Sequence, residues 1–106
     1  MASVAARDAV FDALADPTRR QVLTLIGEHG EATASALARE LPVSRQAIQK
    51  HLSSLAAAGL VAAKREGREV RYRLTPAPMS DAVSWMASVG GQWDSRLAAL
   101  ARHLGG

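Results

Sequence analysis

The sequence predicts a mainly α-helical fold with one small β-hairpin, in the order α-α-α-α-β-β-α. Three observations predict it. Capping residues mark helix starts at Asp16-Pro17 and Ser44. The stretch Val70-Arg71-Tyr72-Arg73-Leu74 alternates with the period of a strand. The C-terminal stretch repeats apolar residues at helical spacing. The chain is short, 106 residues, which predicts a single domain spanning 1–106. Alanine supplies 22 residues, leaving 29 larger apolar ones for a core that would gain from burying surface against a second copy. Cysteine is absent, which excludes disulfides and thiolate ligands. No apolar run approaches the roughly 18 residues that span a bilayer, and Arg7, Asp8, Asp12 and Asp16 argue against a signal peptide. A cytoplasmic protein without membrane contact is expected.

The first helix is expected at about 3–14, with Val4, Val10, Phe11 and Leu14 near one stripe. Asp16 then offers an N-cap and Pro17 a first helical residue that loses no hydrogen bond. The second helix carries Val22, Leu23, Leu25 and Ile26 and stops near residues 27–30. Residues 30–32 form a short connector with room for a minor edge strand. Thr33 caps a third helix, which Pro42 ends. Ser44 caps the fourth, with Val43 and Ile48 spaced as a hydrophobic staple and Ile48, Leu52 and Leu55 as the buried stripe. Gly59 supplies a left-handed stop, with Leu60 folding back on Leu55. Residues 60–65 pair with the alternating strand across a tip at Glu66-Gly67-Arg68. Thr75-Pro76 opens the last helix, about 76–104. There Met79, Val83, Met86, Gly90, Trp93, Leu97, Leu100 and Leu104 form a heptad seam suited to a partner helix. Gly90-Gly91 permits either a close approach or a kink.

The charge is unevenly spread. Residues 44–73 hold seven cations and two anions, whereas the remainder is net negative. Residues 33–74 therefore read as a winged helix-turn-helix, whose fourth helix presents a polar face to the DNA major groove. Arg45, Gln46 and Gln49 are the expected base readers, since arginine can bond guanine and glutamine adenine through two atoms each. Ser44, Lys50 and His51 are expected on phosphate. Lys64, Arg65, Arg68 and Arg71 are expected against backbone or minor groove. Arg19 and Arg20 are open between a phosphate contact and salt bridges to Asp12, Asp16 or Glu40, and Arg73 is open to a structural role.

Residues 11–74 resemble the arsenic-repressor (ArsR/SmtB-type) transcription regulators. The resemblance rests on ALADPTRRQVL in the second helix, LARELPVSRQAIQKHLSSLAAAGLV across the helix-turn-helix and REGREVRYRL in the wing. It implies a homodimeric repressor on an inverted-repeat operator in double-stranded DNA, paired through the first and last helices. Phe11, Met79, Val83, Met86, Trp93, Leu97, Leu100 and Leu104 are the expected dimer contacts. Where the family has a cysteine-containing metal motif, this chain has ALARELPVS, and Asp81, Asp94 and His103 are too sparse for the alternative site on the last helix. The tail thus resembles a metal-independent subgroup, with no metal and no cofactor. Trp85 and Trp93 are read as dimer packing, and they also mark where an unknown small-molecule effector could enter between helices. Nothing arranges Ser, His and Asp as a catalytic set and no Gly-rich phosphate loop occurs, so no enzyme is expected. Two rival readings stay open: a winged-helix module that binds proteins without reading DNA, and a metal-responsive derepressor.

Overall fold

A computed structural model describes residues 4–105, except for the side chains at 92–94, 96, 97, 100, 101 and 103–105. Helix α1 (Val4–Leu14) buries Val10 and Ala13. Its last carbonyls have no helical partners, and two arginines from the next helix serve them. Arg20 Nη1 donates to the Leu14 carbonyl at 2.6 Å, and Arg19 Nη1 to that of Asp12 at 3.4 Å. These cations therefore close a helix end, bonding backbone carbonyls where a carboxylate salt bridge was the structural alternative.

Helix α2 (Pro17–His29) starts as expected, with the Asp16 carboxylate accepting from the Thr18 and Arg19 N–H groups at 2.8 and 3.1 Å. Gly27 lies inside the helix. A Cβ there would come within 3.2 Å of Leu74 Cδ1, so the missing side chain lets α2 approach the sheet. The helix ends at His29 with Gly30 as its cap, at φ of 81°, within the expected stop at 27–30. Strand β1 (Ala32–Thr33) follows and pairs antiparallel with β3 (Glu69–Leu74), Ala32 facing Tyr72. The hairpin expected from the sequence is therefore a three-stranded sheet, ordered β1-β3-β2, with β2 spanning Val61–Glu66. The minor edge strand for which residues 30–32 have room is thus present at Ala32–Thr33, and its pairing fixes which residues it holds.

Thr33 Oγ1 caps α3 (Ala34–Glu40) by accepting from the Ala36 N–H, and the helix yields to extended backbone at Leu41, before Pro42. Helix α4 (Arg45–Ala57) leads into β2. At the hairpin tip Gly67 has φ of 63° and Arg68 does not take positive φ, the pattern of a two-residue II′ turn. The core joins Val10, Val22, Ile26, Leu37, Ile48, Leu52, Leu55 and Leu60, all fully buried. Each such side chain contributes about 1.5–3 kcal/mol.

Helix α5 (Pro76–Gly105) runs on through Gly90-Gly91, where a Cβ would meet nothing within 4 Å. Among the described residues the glycine pair thus makes no close approach. Ala82 is buried and Met79 packs on the core, while Trp85 lies on Phe11 with ring centroids 5.7 Å apart, and the Arg7 guanidinium sits 4.9 Å from its ring. Phe11 is thus half-covered by its own chain. Ala82 is the buried position on this stretch, whereas Trp85 stays 40 % exposed despite its contact with Phe11, and Val83 and Met86 are about half exposed. Trp93, Leu97, Leu100 and Leu104, expected further along that seam, lie outside the described side chains.

Candidate nucleic-acid interface

Helix α4 is fixed at both ends. Ser44 Oγ accepts from the Ala47 N–H at 3.1 Å, and Val43 is half-buried beside the fully buried Ile48. At the other end the Leu60 N–H bonds the Leu55 carbonyl at 2.9 Å and the Gly59 N–H bonds Ala56 at 3.0 Å, with Gly59 at φ 77°. That is the two-bond Schellman stop. The Leu60 carbonyl then accepts from the Thr75 N–H, tying the end of α4 to the junction of β3 and α5. The wing therefore leaves the helix at a defined angle.

With Ile48, Leu52 and Leu55 buried, helical geometry puts Gln46, Lys50 and Ser53 at the outward pole, and all three are exposed. Arg45 and Gln49 occupy the flank turned to the wing. Together with Arg68, Tyr72, Thr33 and Ser35 they line a cleft of about 210 Å³. His51, half-buried, occupies the other flank and acts electrostatically on Asp16. The Asp16 carboxyl is held below its ordinary range, first by the Arg19 backbone N–H. Desolvation opposes that bond, while the Thr18 N–H and the nearby charges of His51 and Arg19 add to it.

Lys64, Arg65 and Arg68 are exposed along β2 and the turn. Among the described residues Arg45, Lys50, Arg65 and Arg68 make no ion pair; Lys64 lies 3.6 Å from Glu66, both ends in solvent. Arg71 differs. It is half-buried, its Nη2 lies 3.1 Å from Glu69 and its Nη1 3.5 Å from Glu31, while its Nε sits 3.2 Å from Glu66 without the alignment of a hydrogen bond. The sequence places Arg71 with the DNA-facing cations, whereas the geometry commits its charge to three carboxylates. Glu66 and Glu69 were visible beside it at the wing tip; Glu31 arrives only through the β1–β3 pairing.

The sequence reading also misses a link inside the interface. Tyr72 is 7 % exposed, and its hydroxyl accepts from Gln49 Nε2 at 3.0 Å. A tyrosine on the apolar face of a strand signals that its hydroxyl has a hydrogen-bond partner. His29 pairs with Glu40 at 3.1 Å, away from the cleft. No group of three or more His, Asp and Glu among the described residues is placed to hold a metal ion, and no described helix is long and apolar enough to cross a membrane.

A helix-turn-helix domain family matches residues 14–62. The chain is 33 % identical over 88 residues to the transcriptional repressor SdpR of Bacillus subtilis (strain 168), covering 83 % of this chain and 97 % of that protein. Its fold superposes with a TM-score of 0.83 on an ArsR-like transcriptional regulator from Rhodococcus sp. RHA1, at 45 % identity over 94 % of this chain and 93 % of the other. A crystal structure of an ArsR family transcriptional regulator gives a TM-score of 0.78 at 31 % identity, covering 90 % and 98 %. The cysteine-free sequence fits the metal-independent subgroup. The chain belongs to the ArsR/SmtB-type family of winged helix-turn-helix, DNA-binding transcriptional regulators.

Proposed function

We propose that this protein is a cytoplasmic homodimeric repressor that reads an inverted-repeat operator through α4 and its wing. The observation that carries the reading is the cleft between α4 and the wing. Arg45, Gln49 and Arg68 converge there beside Glu69, and among the described residues neither arginine forms an ion pair. Exposed cations around a helix whose apolar side is fully buried suit a duplex, which supplies phosphate to the charges and base edges to the amide and guanidinium groups. Arg45, Gln46 and Gln49 read bases. Ser44, Lys50, His51, Lys64, Arg65 and Arg68 hold phosphate, and Arg71 organises the wing from within. The bond to Tyr72 leaves Gln49 one N–H and its carbonyl, enough for a two-atom contact with adenine.

The first and last helices pair two copies, with Val83 and Met86 supplying exposed apolar surface. Repression follows the named relative SdpR. A small-molecule effector, if one acts, enters beside Trp85, the one tryptophan whose side chain is described.

Selection of duplexes with a randomised core tests this reading. Twofold-symmetric sequences should be enriched, with half-sites one helical turn apart, about 34 Å, or a multiple of it. Arg45→Ala should relax discrimination at its base pair by about 1–3 kcal/mol. A pool that stays random contradicts sequence reading and favours a protein-binding module; asymmetric winners contradict the dimer.

A further inference from the structure

We infer that Tyr72 is a specificity-positioning residue: its hydroxyl sets the side-chain orientation in which Gln49 meets a base edge. The inference rests on the assignment of Gln49 as a base reader and adds what prepares it. Glutamine has three side-chain torsions, and an exposed one ordinarily samples many rotamers, which weakens a two-atom contact through the entropy of ordering it. Here one amide N–H is engaged at 3.0 Å by a phenol whose ring is buried. Tyr72 lies in the middle strand of the sheet, paired with Ala32 on one side and Ala63 on the other, and is 7 % exposed. Its ring belongs to the core while its oxygen borders the cleft that Arg45 and Arg68 share.

The two residues are 23 apart in sequence and sit on different elements, so the bond also locks wing to reading helix. A hydroxyl that only satisfied itself in the core would act on stability alone. One that holds a reader acts on a single position of the recognised sequence. That difference is measurable.

The probe is the randomised-core duplex pool, selected in parallel by the wild type, Tyr72→Phe, Gln49→Ala and the double variant, then sequenced for preference at each position. Tyr72→Phe keeps the buried ring. It should reduce preference by about threefold to tenfold, the range one neutral hydrogen bond supports, at the same position that Gln49→Ala relaxes. Other positions and the salt dependence should stay as in the wild type, and adding Tyr72→Phe to Gln49→Ala should change nothing further. A Tyr72→Phe profile equal to wild type, or a uniform loss across positions, overturns the positioning role while leaving Gln49 as a reader. A Gln49→Ala profile equal to wild type overturns the reader assignment and the inference with it. In the free protein the Gln49 side-chain amide resonances should also shift and broaden in Tyr72→Phe; unchanged resonances would likewise overturn the inference.

Discussion

Replacing Arg68 and Arg71 by alanine, one at a time, separates two kinds of arginine in one hairpin. Arg68 stands at the exposed turn without an ion pair, and Arg71 is half-buried among Glu31, Glu66 and Glu69. The lysines and arginines assigned to phosphate are Lys50, Lys64, Arg65 and Arg68. The contact of Lys64 with Glu66 is a solvent-exposed pair of the kind worth about 0–1 kcal/mol, weak enough to be exchanged for phosphate. Twofold pairing doubles the set, so the logarithm of affinity should fall with the logarithm of salt at a slope of about −7, taking roughly 0.9 per phosphate contact. Arg68→Ala removes one contact from each protomer and should flatten the slope to about −5. Arg71→Ala removes a charge already neutralised within the subunit and should leave the slope at the wild-type value. Fluorescence anisotropy on a random-sequence duplex across a KCl series measures all three proteins, with circular dichroism verifying that each is folded. An Arg68→Ala slope equal to wild type, or an Arg71→Ala slope that flattens as far as that of Arg68→Ala, refutes this division of charge.

Gly59→Ala places a Cβ on a left-handed residue, a cost of about 1–2 kcal/mol partly offset by about 0.4–1 from a stiffer unfolded chain, so urea unfolding should show a net loss near 1 kcal/mol. Asp16 has a lower pKa folded than unfolded, so the folded state binds fewer protons. Its stabilisation is therefore full above the ordinary carboxylate value of 3.8 and is lost as pH falls through the lowered one. Asp16→Asn keeps a capping oxygen without the titration, and its acid unfolding should lose that share of the pH dependence. Val83→Glu and Met86→Glu put charge on the exposed seam and should yield monomers by sedimentation; variants that remain dimeric would move the interface elsewhere.

What was legible in the sequence was local. Ser44 with Ala47, and Gly59 with Leu60, act within a few residues of themselves, so both ends of α4 could be placed from residue types alone. The same holds for Asp16-Pro17 and the turn at Gly67. What escaped was set by residues distant in sequence. Arg71 meets Glu31 across 40 positions, and Gln49 meets Tyr72 across 23. In the sequence Arg19 and Arg20 read as charges that need counter-charges, whereas their acceptors are backbone carbonyls, which every residue carries and no sequence pattern marks. In α5 the heptad repeat is plain, but the packing of Trp85 on Phe11 depends on where α1 lies.

The central claim is that α4 enters the major groove while the wing stays on the backbone. Dimethyl sulfate probing of a selected duplex tests it in one measurement, because the reagent marks guanine N7 in the major groove and adenine N3 in the minor groove. Bound protein should shield guanine N7 within both half-sites and leave adenine N3 there reactive. Shielding of adenine N3 at the half-site centres, with guanine N7 still reactive, would contradict it.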